Sequence, residues 1–236
     1  MADTIALVTG ANKGLGREAA RRLAGQGWKV LLGARDGDRG EKAAEELRAL
    51  GLDVEFLALD VASDASVEAA AKAVDQAHGR LDVLVNNAGI GAPPSRPEDT
   101  TADELRDVFD VNVFGPVRVT RAFLPLLCKG TDPRIVMVSS GMGSIATYAD
   151  PQVPVPPMLS YPASKAALNM ITTQYARAFD GVRVNAVDPG FTATDLNGHT
   201  GFQSLEEGTD AIIRLASIGA DGPTGGFFDR QGSVAW

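Results

Sequence analysis

Short apolar runs rich in β-branched residues alternate along this chain with longer alanine-rich stretches of helical spacing, and that alternation restricts the fold more than any other feature. The runs fall at 5–9, 29–33, 54–59, 83–86, 135–139 and 182–187, with a weaker one at Phe227 and Phe228. Most are apolar on both faces, as parallel strands are when helices cover them above and below. Helical spacing predicts helices over 15–26, 38–50, 63–78, 160–178 and 205–217. Gly51 and Gly79 stand where left-handed caps would end the second and third. Thr101 and Glu104 form a capping box that opens a long helix toward Leu127, bent midway by Gly115 and Pro116. With no internal repeat and no break in composition, the pattern predicts one domain over 1–236. Its class is α/β: a doubly wound, mostly parallel sheet with helices on both faces.

Composition narrows the partners. Hydrophobic residues at 44% and charged residues at 22% exclude a disordered chain or a disulfide-stapled miniprotein. Thirty acidic against 22 basic residues leave a formal charge of -8, which repels nucleic acid and anionic membranes and favours a small-molecule partner. Cys128 is the only cysteine, so no intrachain disulfide can form, and a cytoplasmic setting is expected. No window approaches 18 continuous apolar residues, and Asp3 stands where a secretory signal would be basic. His78, His199 and Cys128 make no metal-ligand pattern, so no metal is expected.

Directly after the first run comes TGANKGLG, residues 9–16. Gly10, Gly14 and Gly16, with Asn12, Lys13 and Leu15 between them, would let backbone N–H groups and a helix N-terminus approach a pyrophosphate, as in Rossmann-type dinucleotide folds. The second run ends in Ala34 and Arg35, where an NAD site would place a carboxylate for the ribose 2′-hydroxyl. Arg35 and Lys13 would instead supply two cations for a 2′-phosphate, so the expected cofactor is NADP(H). Tyr161 and Lys165, four apart, share a face of the 160–178 helix. An ammonium about 4 Å from the phenol, at an effective dielectric near 20, contributes roughly 4 kcal/mol, enough to bring the tyrosine from about 10 toward 7 and make it a usable acid.

Together these motifs resemble the short-chain dehydrogenase/reductase family. The matching residues are TGANKGLG, NNAG at 86–89, Asn112 in VNVFGP, VSS at 138–140, YPASK at 161–165 and DPGFTAT at 188–194, in the family's order. NKGLG, LGARD, LEEG at 205–208 and GGFFDRQGSVAW ending in Trp236 are most similar to the carbonyl reductase branch. The resemblance implies that Tyr161 gives a proton to a carbonyl oxygen, with Lys165 as its electrostatic partner and ribose holder. Ser140 would orient the carbonyl, in preference to Ser139, and Asn112 would hold a relay water near Lys165. Asp60 and Val61 would flank adenine; Asn87, Ala88 and Gly89 the adjoining ribose; Pro189, Gly190, Thr192 and Thr194 the nicotinamide. The activity implied is NADPH-dependent reduction of an aldehyde, ketone or quinone. A ketoacyl-thioester reductase and an NADP-binding regulatory protein without turnover stand as alternatives, and a homo-oligomer is left open.

The interval from Ser140 to Tyr161 is longer than in the family's commoner forms and shorter than the insertion of some carbonyl reductases. It holds a stiff stretch, 150–157, with four prolines. That stretch is expected to bulge near the pocket mouth and restrict bulky ketones. Phe191, residues 195–204, Met142 and Trp236 are expected to line an apolar pocket.

Overall fold

The computed structural model describes residues 4–92, 95–150, 152 and 157–236. Seven parallel strands form one sheet in the order β3-β2-β1-β4-β5-β6-β7. They are β1 (Ile5–Thr9), β2 (Lys29–Ala34), β3 (Val54–Ala58), β4 (Val83–Asn86), β5 (Arg134–Val138), β6 (Arg183–Val187) and β7 (Phe227–Phe228). All five residues of β1 are buried because β2 and β4 pair with its two edges and helices cover its two faces. Edge strand β3 is the exception to two-sided burial: Glu55 and Ala58 are exposed.

The eight helices among the described residues are α1 (Gly14–Ala24), α2 (Gly37–Arg48), α3 (Asp64–His78), α4 (Ala102–Phe109), α5 (Gly115–Leu127), α6 (Ile145–Tyr148), α7 (Ser160–Ala178) and α8 (Leu205–Ala216). Ala6 and Val8 point to a core layer completed by Ala19, Leu23, Leu47 and Ile212 from α1, α2 and α8. Ile5 and Leu7 point the other way, to Val67, Phe123 and Leu168 from α3, α5 and α7. This doubly wound arrangement matches the expected class, with strand ends within one or two residues of the sequence pattern. Gly51 and Gly79 adopt positive φ, 80° and 70°, as their places after α2 and α3 require.

The helical path from 102 to 127 is continuous, as expected, but it holds a π-helical turn over Asp110–Phe114, directly before Gly115 and Pro116, which separates α4 from α5. The wider turn carries Asn112 inward, where its side chain bonds backbone groups of another segment, and Pro116, which has no N–H for the Asn112 carbonyl, sits at its end. The capping box is half made. Thr101 Oγ1 accepts the Glu104 N–H at 3.2 Å, but the Glu104 carboxylate turns to Ser95 and Ser160.

Sheet order places the site. Strands wind outward in both directions from β1 and β4, and ligands of such sheets bind beyond the carboxyl ends at that reversal. The glycine turn after β1 and the segments after β4, β5 and β6 all open there. Of the proline-rich stretch, residues 151 and 153–156 lie outside the described residues. No helix among the described residues is long and apolar enough to cross a membrane.

Candidate active site

The turn after β1 is packed too closely for side chains. A Cβ at Gly10 would lie 2.9 Å from the Ala88 Cα, and one at Gly16 would lie 2.5 Å from Asn87 Nδ2 and 2.6 Å from the Gly10 carbonyl. Asn87 fastens this contact by donating from Nδ2 to the Thr9 and Gly10 carbonyls at 2.8 and 3.3 Å. The N-cap of α1 is Lys13, which makes no side-chain cap, and the first turn holds no acidic residue. Its N–H groups and the positive end of the helix dipole therefore remain available to an anion, which a dinucleotide pyrophosphate fits. Gly14 faces open space, with Thr194 Cγ2 at 4.0 Å from the position of an added Cβ, and half-buried Asn12 and Leu15 complete the loop.

Around the loop, Asp60 Oδ1 accepts the Ala62 N–H at 3.0 Å and fixes the turn after β3, while Val61 is buried against Gly115. Thr192 is buried and donates to the Pro189 carbonyl at 2.9 Å; Gly190 has φ 69° and would meet Gln203 if it carried a Cβ. Thr194 caps the short turn Asp195–Asn197. These segments line up along the carboxyl edge of the sheet. The two expected phosphate cations differ. Arg35 is exposed, and its neighbour Asp36 is occupied as the cap of α2 and by Arg39 at 2.8 Å. Lys13 is paired with Asp195 at 2.6 Å, an ion pair across the mouth of the cleft that the sequence reading did not foresee.

Ser140, Tyr161 and Lys165 come together beyond β5. Ser140 Oγ accepts the Met142 N–H at 3.2 Å, and the Ser140 hydroxyl is near enough to the Tyr161 phenol to favour its ionised form. Ser139 is buried and engaged by Asn169 at 2.6 Å, which leaves Ser140 as the serine facing the phenol. Lys165 is buried; its ammonium donates to the Val138 carbonyl at 2.9 Å and lies 5.6 Å from the centre of the Tyr161 ring. Asn112 Oδ1 accepts the Ile90 N–H at 2.8 Å, and its Nδ2 donates to the Ile90 carbonyl at 2.9 Å and Ser164 Oγ at 3.1 Å. Asn112 and Lys165 converge on Gly89: a Cβ there would be 3.2 Å from Asn112 Oδ1 and 3.6 Å from Lys165 Nζ.

The electrostatics reverse one expectation. Burial pushes the Tyr161 phenol up to about 12, beyond what the Ser140 hydroxyl offsets, and Asp188 and Tyr148 add to the rise. Desolvation likewise brings Lys165 down to about 8. The sequence argument counted the attraction of the ammonium and could not count the loss of water around both groups.

Three residues near the site were given no place in it from the sequence. Asp188 accepts the Gly190 N–H at 2.9 Å, and its carboxylate lies against Gly141, where an added Cβ would be 2.7 Å from Oδ2, so the end of β6 packs on the turn after Ser140. It lies inside the DPGFTAT motif, whose spelling gave it no role. Glu104 holds Ser160, the residue before Tyr161, at 2.6 Å. Tyr148 sits on α6, in the enlarged interval. Of the expected pocket lining, Phe191 packs edge-on against Phe202, while Trp236 stacks on Phe227 at 5.4 Å.

Fold and site together define a nucleotide-dependent oxidoreductase of the parallel-sheet kind, and comparison with known proteins agrees. The sequence profile of the short chain dehydrogenase family matches residues 4–203, and the chain belongs to that family. It is 35% identical to a (+)-neomenthol dehydrogenase of Arabidopsis thaliana, over 96% of each chain. Its fold is similar to that of an NADPH-bound carbonyl reductase from chicken fatty liver, with TM-score 0.89, 28% identity and full coverage of both chains, 100% each. Salutaridine reductase from Papaver somniferum is also similar, with TM-score 0.83, 28% identity and coverage of 95% of this chain and 99% of that one.

Proposed function

We propose that this oxidoreductase uses NADPH to reduce the carbonyl of a small aldehyde, ketone or quinone. The observation that carries the reading is Tyr161 with the buried Lys165 ammonium 5.6 Å from its ring centre and Ser140 acting on its phenol, at the same sheet edge as the side-chain-free glycine turn. The residues after β1, β3, β4 and β6 described above would hold the dinucleotide, with Arg35 toward the 2′-phosphate. When bound, the reduced nicotinamide supplies the hydride.

The chain's own groups supply the rest. Ser140 donates to the carbonyl oxygen and fixes its position between serine and tyrosine. Tyr161, raised to about 12, is fully protonated at neutral pH. An alkoxide is more basic than a phenolate, so the proton still passes downhill to the nascent alcohol. Lys165 adds positive charge beside the phenolate that is left, and Asn112, tied to Ile90 and Ser164, keeps the adjoining helical turn in place.

Tyr161→Phe removes only the hydroxyl. NADPH affinity should persist while reduction of a carbonyl panel, followed by loss of NADPH absorbance, falls by roughly 10² to 10⁴. A contamination-free variant that keeps more than about a tenth of the rate of the chemical step overturns the assignment.

A further inference from the structure

Asn169 is buried on α7, 4% exposed, about one helical turn after Lys165 and two after Tyr161. Both halves of its amide are used. Nδ2 donates to the Gly143 carbonyl at 3.1 Å, and Oδ1 accepts the Ser139 hydroxyl at 2.6 Å. A carbonyl only accepts, so Gly143 fixes which end of the amide is the donor and leaves the oxygen for Ser139. An apolar side chain would fill the same space without losing water, so the two bonds and not the volume distinguish Asn169 there.

The two partners bracket Ser140. Ser139 precedes it, and Gly143 closes the short turn that follows by giving its N–H to the Ser140 carbonyl at 2.8 Å. That turn rests directly on the α7 backbone: a Cβ at Gly143 would lie 2.7 Å from the Lys165 carbonyl carbon and 2.9 Å from the Lys165 Cβ. Lys165 adds a third tie by donating to the Val138 carbonyl at 2.9 Å. Val138, Ser139 and Gly143 are thus fastened to side chains of one row on α7, the row that begins with Tyr161. Inside the bracket the Ser140 oxygen accepts the Met142 N–H at 3.2 Å, so its own proton stays available to a carbonyl oxygen.

We propose that Asn169 is a positioning residue for the reduction: by tying both ends of the Ser140 turn to the helix that carries Tyr161, it sets the Ser140 hydroxyl where it and the phenol meet one carbonyl oxygen. This role rests on the carbonyl-reductase reading and adds to it a residue that acts through Ser140 and not on the substrate. Without the amide, Ser140 keeps its hydroxyl but loses its fixed distance from α7, and a shift of about 1 Å can lower the rate of a positioned step by roughly a hundredfold. The dinucleotide is spared, because the glycine turn opens after β1, on the other side of β4 from this bracket.

The test is Asn169→Ala, measured beside Ser140→Ala and the double variant with NADPH and a panel of aromatic aldehydes and cyclic ketones. Asn169→Ala should lower kcat/KM for the carbonyl compound about ten- to a hundredfold and leave the NADPH dissociation constant within about twofold. With Ser140 already replaced, the same change should lower it by less than about twofold, because no hydroxyl remains to be placed. Ser139→Ala removes one tie from the opposite side with little change in volume, and should show a smaller loss with the same dependence on Ser140. Thr172→Ala empties a buried site further along α7 and severs only a bond within the helix, to the Leu168 carbonyl, so it should keep the wild-type rate. Equal losses with and without Ser140, a comparable loss from Thr172→Ala, or no loss from either Asn169→Ala or Ser139→Ala would overturn the positioning role and leave the reductase reading standing. A Ser140→Ala variant as fast as wild type, or a wild type that oxidises no NADPH with any member of the panel, would remove that reading and the positioning role with it.

Discussion

Lys165 shows what burial does to a functional residue. It is 4% exposed, and its amine is brought from 10.5 down to about 8, so the folded protein binds this proton less well than the unfolded chain does. The sign follows: below about pH 8 the protonated amine weakens the fold, and above 10.5 neither state carries the charge. The burden, on the order of 3 kcal/mol, should therefore fade as pH rises between those values. Lys165→Met should be more stable than wild type near neutrality, in denaturant titrations without cofactor, and the advantage should shrink by about pH 10. A gap independent of pH would mean that the amine is not held as a buried cation. The cofactor-selecting charges can be argued from the same surface. Lys13 and Asp195 are both exposed, and water and salt screen such a pair, so Lys13 is easily released toward a phosphate. Arg35→Ala should shift the NADPH-over-NADH preference in fluorescence titrations by about 10- to 100-fold, and adding Lys13→Ala should widen the shift. Equal losses for the two cofactors would refute the role. Tyr161 and Lys165 were legible in the sequence because their relation is local, four positions on one helix. Asp188 was not, because the turn it lies against, at Gly141, belongs to another segment.

At the scale of elements, amphipathic spacing located every long helix and every strand, since burial of one face is written in the nearest neighbours along the chain. The inward turn of Asn112 between α4 and α5 was hidden because its partners, Ile90 and Ser164, lie in other segments, which no local pattern encodes. Glu104 teaches the same lesson from the other side. Its position three residues after Thr101 spells a capping box, yet its carboxylate joins α4 to Ser95, at 3.0 Å, and to the first residue of α7, at 2.6 Å. A carboxylate at that helix N-terminus also opposes the helix dipole favourably. Since Ser160 is 2% exposed and precedes Tyr161, Glu104→Ala should leave a buried hydroxyl unpaired, cost about 1–3 kcal/mol of stability and lower kcat with little change in NADPH affinity. Glu104→Gln still offers an acceptor and should restore most of the rate. A Gln variant as slow as Ala would show that the charge, and not the hydrogen bond, holds the helix.

For the whole molecule, the sequence carried the class of fold but not the order of its strands, because each parallel strand looks alike and pairing is settled only when helices choose their faces. Nor could it show that the final residues reach back across the sheet. Val234 N–H donates to the Phe227 carbonyl at 2.8 Å, Trp236 stacks on Phe227 with ring centres 5.4 Å apart, and the Trp236 carbonyl receives the Ala146 N–H. The outer strand β7 is thereby tied to α6, which carries Tyr148, whereas the glycine turn lies after β1 in the middle of the sheet. Trp236→Ala keeps the backbone bonds and removes the ring, which is 38% exposed and so only partly buried in the stack. Unfolding free energy should drop by about 1–2 kcal/mol, from lost apolar contact and the lost aromatic pair. Because α6 follows Ser140 closely in the chain while the dinucleotide cleft opens after β1, KM for the carbonyl compound should rise while the NADPH dissociation constant holds. Parallel weakening of both would show that the tail supports the sheet as a whole; a KM effect alone would establish a mechanical connection from the sheet edge to substrate recognition.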